Sequence, residues 1–422
     1  MNHSPISART WRVVVGTLTA GAAAAATALL AIPAGAATSL AWAGTWSASP
    51  VAGATSGSCP ARAGALTGQT VRNIVYPAIG GDRVRVRFSN VFGTSPLTIG
   101  AASVAVDRSG AAVVGSTKQV LKFSGKRTVT IPPGAEAVSD WVDYTVPQQE
   151  DLAVSVYVPA FDGPATFHPL AVQDNYLSGP GDFTGSNVAT DFPTTISCWM
   201  FVDGVDVHPA AKVKGTVVAF GDSITDGAAS DKNANDRWPN ILARRLTARS
   251  GGTVSVVDEG ISGNRLLSDA GTAGVSALAR FQRDALGQAG VTSVILLEGI
   301  NDIGQSFTGG GPTVTAKDLE AADRQLIAMA HAKGVKVFGA TLTPYRGAGY
   351  ADPAGERIRK QLNDWILTSG EFDGTIDFAA VTANPNDPNV FDPKYDSGDH
   401  LHPNDAGYTA MANSINLRML LP

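Results

Sequence analysis

Val217-Val218-Ala219-Phe220-Gly221-Asp222-Ser223-Ile224-Thr225 is an apolar run that stops at a glycine and presents a serine two residues later. A short apolar run bounded by glycine reads as a buried parallel strand. Open α/β sheets place their chemistry at the carboxyl ends of such strands, which is where Ser223 falls. Gly-Asp-Ser is also ordinary turn chemistry, with Asp222 able to close an Asx-turn. The surrounding sequence has to decide between the two readings.

Downstream of Lys214 the pattern alternates strand and helix. Helices are expected from an Asp236 N-cap with Pro239 in the first turn, over 275–287, over 315–333 and over 351–369. A last helix, capped by Asn404 or Asp405, is expected to run on through Met419. Strands are expected at 253–257, 291–297, 335–341 and 375–378. Repeated β-α units of this length imply a parallel sheet covered by helices, with active groups on the loops that follow the strands.

Upstream, from about Ser39 to Val207, the sequence reads as all-β. Asp82 to Phe88 alternates, with Val84, Val86 and Phe88 on one face and Arg83, Arg85 and Arg87 on the other. Leu152–Val158 and Lys126–Ile131 read the same way, and Gly/Pro/Asn clusters separate them. Short strands at this spacing point to a β-sandwich or jelly roll. The three arginines read as a solvated strand face rather than a binding face. Trp42, Trp46, Trp141 and Trp199 read mainly as packing residues rather than sugar platforms. His168 and His208, each followed by proline, read as loop or linker residues without an assigned role. The boundary between the halves falls at 207–214, giving segments 37–207 and 208–422.

The first 36 residues look like an export signal: Arg9 and Arg12, an Ala-rich apolar run from Val13 to Ile32, then Pro33-Ala34-Gly35-Ala36 as a small-x-small cleavage site. The alternative is a retained membrane anchor. The expectation is a secreted chain, with no stable membrane insertion after cleavage. Two cysteines, Cys59 and Cys198, then face an oxidising compartment, where an even count favours a disulfide. A loop of that length is worth roughly 4 kcal/mol in the chain-entropy model. The net charge of −5 over 422 residues argues against nucleic acid as a partner. No phosphate loop or dinucleotide fingerprint occurs, and no cofactor or metal is expected. The oxygen-rich stretch 384–392 alternates with prolines and lacks an EF-hand order, so it reads as a loop rather than a calcium site.

Four segments of the second half carry the residue types that acyl transfer needs. They are Ser223 after the first strand, Glu259-Gly-Ile-Ser-Gly-Asn-Arg265 after the second, Glu298-Gly-Ile-Asn-Asp302 after the third, and Asp399-His-Leu-His-Pro403 before the last helix. In this order and at these junctions the chain resembles the SGNH hydrolases, also called GDSL esterases/lipases. Gly221-Asp222-Ser223-Ile224 is similar to their first block, with isoleucine in place of leucine. Gly263 matches the glycine block, Gly299-Ile300-Asn301-Asp302 the Gly-x-Asn-Asp block, and Asp399-His400-Leu401-His402 the Asp-x-x-His block. The resemblance spans Gly221 to His402 and does not reach the first half.

The resemblance implies a flavodoxin-like three-layer α/β domain behind the all-β one, and a set of roles. Ser223 is the nucleophile, His402 its base, and Asp399 the carboxylate that orients His402. The backbone N–H groups of Ser223 and Gly263 and the amide of Asn301 form the oxyanion hole. The chemistry fits these residue types. A neutral hydroxyl needs a nearby base. A carboxylate three residues before the histidine reaches it if the segment makes a helical turn. Glycine permits close backbone approach, and an asparagine amide donates without charge. His400 is the competing histidine, but position 397 is Ser397, so it lacks an aspartate at the same offset. Asp222 and Asp302 read as loop-shaping groups. The implied function is a secreted serine esterase acting on carboxylic esters, acetyl or short acyl, with acetylated polysaccharide as candidate substrate. The alternatives are an extracellular lipase or phospholipase, for which the Gly-rich stretch 306–312 offers only Phe307 as an apolar rim, and a carbohydrate-binding surface protein with an inactive hydrolase half.

Overall fold

A computed structural model describes residues 42–56, 58–66, 68–209 and 213–421. The proposed export signal lies outside them. Among the described residues no helix is long and apolar enough to cross a membrane.

In the second half the apolar run around Val217 becomes β1 (Gly215–Gly221), buried over its whole length. It leads directly into the single turn α1 (Ser223–Asp226). Then follow α2 (Trp238–Ser250), β2 (Val254–Gly260), α3 (Ala277–Asp284), β3 (Val291–Leu297), α4 (Ile300–Thr308), α5 (Ala316–His331), β4 (Lys336–Ala340), α6 (Pro353–Thr368), β5 (Gly374–Ile376), α7 (Phe378–Thr382), α8 (Asp405–Ser414) and α9 (Leu417–Leu420). The strands form one parallel sheet in the order β2-β1-β3-β4-β5. β1 is therefore an interior strand, paired with β2 on one side and β3 on the other, and its C-terminal turn opens at the carboxyl edge between them.

Local chemistry explains most element ends. Thr315 and Asp318 form a reciprocal capping box at the start of α5. Asp352 caps α6 and Asn404 caps α8 through their side chains. Trp238, Ile241, Leu242 and Leu246 bury one face of α2, each contributing about 1.5–3 kcal/mol. The N-cap of α2 is Arg237 rather than the expected Asp236, whose carboxylate instead accepts from Arg244 at 2.6 Å. The expected strand at 375–378 ends at Ile376, because the Asp377 side chain caps a new helix through the Ala380 N–H. The last helix breaks at the extended Ile415 instead of continuing through Met419. The stretch 384–392, read as a loop, pairs back on itself as Ala383–Asn384 with Asp387–Phe391.

In the first half two antiparallel sheets form. One joins Ala43–Ser47, Val202–His208 and Gly81–Ser89, with Glu136–Val138 and Val142–Val146 both pairing to the last of these. The other is built around Gln69–Val75, Leu152–Val158 and Ala101–Ser109. Val84, Val86 and Phe88 from the first and Val71, Val104, Val154 and Val156 from the second share one apolar cluster. The expected alternation of Leu152–Val158 gives way to burial on both faces, since Ala153 packs with Ile74, Ala105 and Val113 on the outer side. The segment from Lys126 is strand only over Val129–Ile131.

The three arginines are paired: Arg83 with Asp143 at 3.1 Å, Arg85 with Asp206 at 2.8 Å and Arg87 with Asp203 at 2.8 Å. Trp46 and Trp199 are buried edge-to-face against each other, whereas Trp141 is half exposed beneath Arg83. Cys59 and Cys198 are joined as a disulfide with Cα atoms 6.0 Å apart.

The halves meet along Ala43–Ser47, which lies against β2. Gly44 donates its N–H to the Ala289 carbonyl at 2.9 Å, and its missing side chain lets Val257 approach. Ser47 Oγ bonds the Asp258 carbonyl at 3.3 Å, and Ser49 Oγ bonds Glu259 Oε2 at 2.5 Å.

Candidate active site

Ser223 sits at the first position of α1, immediately after β1. Asp222 caps this turn through the Ile224 N–H at 2.9 Å. Gly221 is needed at the strand end: a Cβ there would lie 2.5 Å from the Leu297 carbonyl oxygen and 2.3 Å from Thr225 Oγ1. The Gly221 carbonyl accepts from Arg280 Nη2 at 2.8 Å and from the Ile261 N–H at 3.0 Å.

Ser223 Oγ lies 2.8 Å from His402 Nε2. The other ring nitrogen, Nδ1, is 2.6 Å from Asp399 Oδ2. The Asp399 segment is not the helical turn that its spacing allowed. It bends through His400 at φ +63°, and Asp399 Oδ1 gathers the N–H groups of Leu401 and His402 at 2.9 Å each. Partial burial pushes the Asp399 carboxyl up. The two backbone N–H bonds and the imidazole outweigh this and hold it down at about 2.

His400 has its own aspartate one residue further back than the Asp399/His402 offset. Its Nδ1 is 2.6 Å from Asp396 Oδ2, while Asp396 Oδ1 accepts the Gly398 and His400 N–H groups. The ring lies against Gly347, where a Cβ would come within 3.0 Å. The bond to Ser223 belongs to His402.

Gly263 adopts φ +78°, a region that favours glycine. Neither its N–H nor that of Ser223 has an acceptor among the described residues. Asn301 enters from the first turn of α4, a helix where the sequence suggests a loop after β3. Its Nδ2 donates to the Asn264 carbonyl at 2.9 Å, and its Oδ1 accepts from Tyr350 Oη at 3.3 Å. These two contacts fix which way the amide faces. Asp302 Oδ2 and Oδ1 accept the Leu266 and Leu267 N–H groups at 2.7 and 3.0 Å, which ties the glycine-bearing loop to α4.

Beneath the site lies a buried charged floor. Arg280 is fully buried and bonds Asn264 Oδ1, Ser49 Oγ and the carbonyls of Glu259 and Gly221. Burial pushes the carboxyl of Asp222 up to about 7 and that of Asp302 to about 6. Burial likewise holds Glu259 and Glu298 well above their ordinary range.

The sequence reading missed three groups at this site. Arg280 looks like any helical arginine, Tyr350 sits in an unpatterned loop, and His168 reads in sequence as a loop or linker residue. His168 is in fact buried, 3.0 Å from Asp226 Oδ1. None of the three carries a local motif, because their partners are distant in sequence.

The α/β half has counterparts among known proteins. Among solved structures it is similar to a carbohydrate acetylesterase family member from Sinorhizobium meliloti, at 16% identity over 49% of this chain and 99% of that one, with a TM-score of 0.39. It is also similar to an acetyl xylan esterase from Geobacillus stearothermophilus, at 21% identity over 49% and 95%, TM-score 0.38, and to a hydrolase from the metagenome of Lake Arreo, Spain, at 22% identity over 49% and 95%, TM-score 0.37. No curated protein matches the chain. Residues 219–410 match the family described as GDSL-like Lipase/Acylhydrolase. The segment 219–410 is thus of the GDSL-like acylhydrolase type, and it is this segment that supports a serine ester hydrolase.

Proposed function

We propose that this protein is a secreted esterase that removes acetyl or short acyl groups from carboxylic esters, with Ser223, His402 and Asp399 as its catalytic set. The observation that carries this reading is the continuous relay from Ser223 Oγ through His402 to Asp399, at 2.8 and 2.6 Å. In the first step Ser223 Oγ bonds to the acyl carbon as its proton passes to His402 Nε2. Asp399 accepts the Nδ1–H and stabilises the imidazolium. The oxyanion is met by the Ser223 and Gly263 N–H groups and by the Asn301 amide, each such donor being worth about 10²–10³ in rate. His402 then gives its proton to the leaving alcohol. Water repeats the sequence on the acyl-enzyme and releases the acid.

Short acyl groups are favoured by the surface. The exposed large hydrophobics among the described residues are scattered, and Phe307 in α4 is the one next to the Gly-rich stretch 309–311. A lipid-binding rim calls for a contiguous apolar patch. An acetylated polysaccharide fits as the alcohol. Secretion is supported by the N-terminal sequence pattern and by the disulfide. The strand order 2-1-3-4-5 and two helix groups, α2 with α8 and α5 with α3 and α6, support a flavodoxin-like three-layer reading. The two antiparallel sheets support a sandwich of the jelly-roll kind for the first half.

The decisive experiment is hydrolysis of p-nitrophenyl acetate and acetylated xylan by Ser223→Ala. A loss of about 10⁶ in kcat is expected, and near-normal turnover would overturn the assignment. A panel of p-nitrophenyl esters of rising chain length and a phospholipid tests the acyl preference. Rates that climb with chain length would replace the esterase with a lipase.

A further inference from the structure

We propose that His168, supplied by the β-rich half, is a positioning residue for the Ser262–Gly263 donor loop of the acylhydrolase half and works as an imidazolium clamped onto Asp226. This rests on the reading of Gly263 N–H as an oxyanion donor.

The geometry runs in one unbroken chain. His168 Nε2 is 3.0 Å from Asp226 Oδ1, and Asp226 Oδ2 accepts both the N–H and the hydroxyl of Ser262 at 2.8 Å each. Ser262 immediately precedes Gly263. Asp226 is the last residue of α1, three residues beyond the nucleophile, so one carboxylate joins the Ser223 turn to the donor loop. Both His168 and Asp226 are almost fully buried.

The neighbours of His168 set its protonation. Nδ1 faces the Ser49 carbonyl at 2.9 Å, and Nε2 faces the Leu170 carbonyl at 3.2 Å besides the Asp226 carboxylate. All three are acceptors, so both ring nitrogens carry hydrogen and the ring is cationic. A buried carboxylate with two donors on one oxygen needs a charged partner on the other. His168 provides it, and Arg237 adds an Nε–H to the Asp226 backbone carbonyl at 2.6 Å. The loop is held from below as well, since Ile261 is buried in the apolar cluster of the β-rich half. Of these ties, the His168 contact and the packing around Ile261 come from the β-rich half.

A positioning role predicts a loss confined to kcat. In the full-length protein, His168→Ala and Asp226→Asn are each expected to lower kcat on p-nitrophenyl acetate about 10–100-fold, the scale of a misplaced catalytic group, with KM within about threefold. Combining them should cost no more than the larger single loss, because both act through one chain. Val154→Ala, which destabilises the β-rich core without touching this chain, should lower Tm while leaving kcat intact. If His168→Ala does not fold, His168→Gln carries the same comparison. Unchanged kcat in the His168 variant, losses that multiply in the double variant, or an equal kcat loss in Val154→Ala would each overturn the proposal. Ser223→Ala assayed alongside separates the two levels. If it is inactive while the His168 variant keeps its kcat, only the positioning role fails. If it stays active, the site assignment and the positioning role fall together.

Discussion

In the proposed catalytic set Ser223 is served by the Asp399/His402 pair, and that pair has a near copy two residues away. Asp399/His402 and Asp396/His400 share a 2.6 Å carboxylate–imidazole contact. Only the first reaches Ser223. His402→Ala should therefore reduce kcat about as severely as loss of Ser223, and Asp399→Asn by about 10⁴. His400→Ala should cost less than about tenfold, since Asp396 still accepts the N–H groups that shape the turn. Steady-state assays of the three variants check this, and the reverse order for the two histidines would exchange their roles. Ser223, Gly263, Asn301 and the Asp399/His402 pair were legible in sequence because each sits in a short block at a strand end or helix start. His168, Tyr350 and Arg280 were not, because their meaning arises from partners tens of residues away. The aspartate behind His400 was missed for a smaller reason. The spacing alone favours an offset of three, and the left-handed His400 makes an offset of four work.

Among the elements, α4 shows how a helix in a stretch that reads as a loop can set the site. Gly299 at φ +113° starts it and Gly309 ends it. Inside it, Gly304 is there for space: a Cβ would lie 2.1 Å from the ring of Tyr350, the residue whose hydroxyl fixes the Asn301 amide. Gly304→Ala gains helix propensity of up to about 1 kcal/mol. Overpacking against a rigid ring costs typically about 1–3 kcal/mol and moves Tyr350. The expected net result is a lower Tm together with at least a tenfold fall in kcat, checked by thermal unfolding and by ester kinetics on the same preparation. A stabilised, fully active variant would mean that Tyr350 relocates freely and does not orient Asn301. The main strands and helices were legible from their periods and caps, as with Thr315/Asp318. What failed were ends where a single side chain redirects the chain. Asp377 starts α7 inside an expected strand, and extended Ile415 stops α8 early.

On the scale of the whole molecule, buried acids set the pH response. Burial holds the Asp323 carboxyl in α5 well above its ordinary range, with Asp302 adding to the shift and Arg324 opposing it. A raised folded-state pKa means that the native form binds the extra proton. The associated stability is complete below the ordinary carboxylate pKa near 4 and is lost as pH rises through the folded value. Asp323→Asn removes that titration. Its stability relative to the parent should thus improve steadily from pH 4 to pH 8 in urea unfolding, and a parallel pair of curves would show that Asp323 does not bear the shift.

The union of the two halves imposes a stronger condition. The change from an alternating pattern to a βα pattern near residue 208 was plain in the sequence. The contact between the halves was not, because it is made by single residues such as Gly44, Ser49 and His168, none of which has a pattern of its own. Cutting the chain so that it starts at Val213 would expose the side of β2 covered by Ala43–Ser47, leave the Ala289 carbonyl without its Gly44 partner, and strip Arg280 and Glu259 of Ser49. Each hydrogen bond lost from a buried ionisable group costs about 1.5–3 kcal/mol, a large share of the stability of an ordinary domain. The truncated chain is expected to unfold without a cooperative transition and to hydrolyse p-nitrophenyl acetate at least about 10²-fold more slowly than the full chain, as read by calorimetry and kcat. A soluble fragment with a sharp transition and undiminished kcat would show instead that the acylhydrolase half stands alone and that the β-rich half contributes nothing to its site.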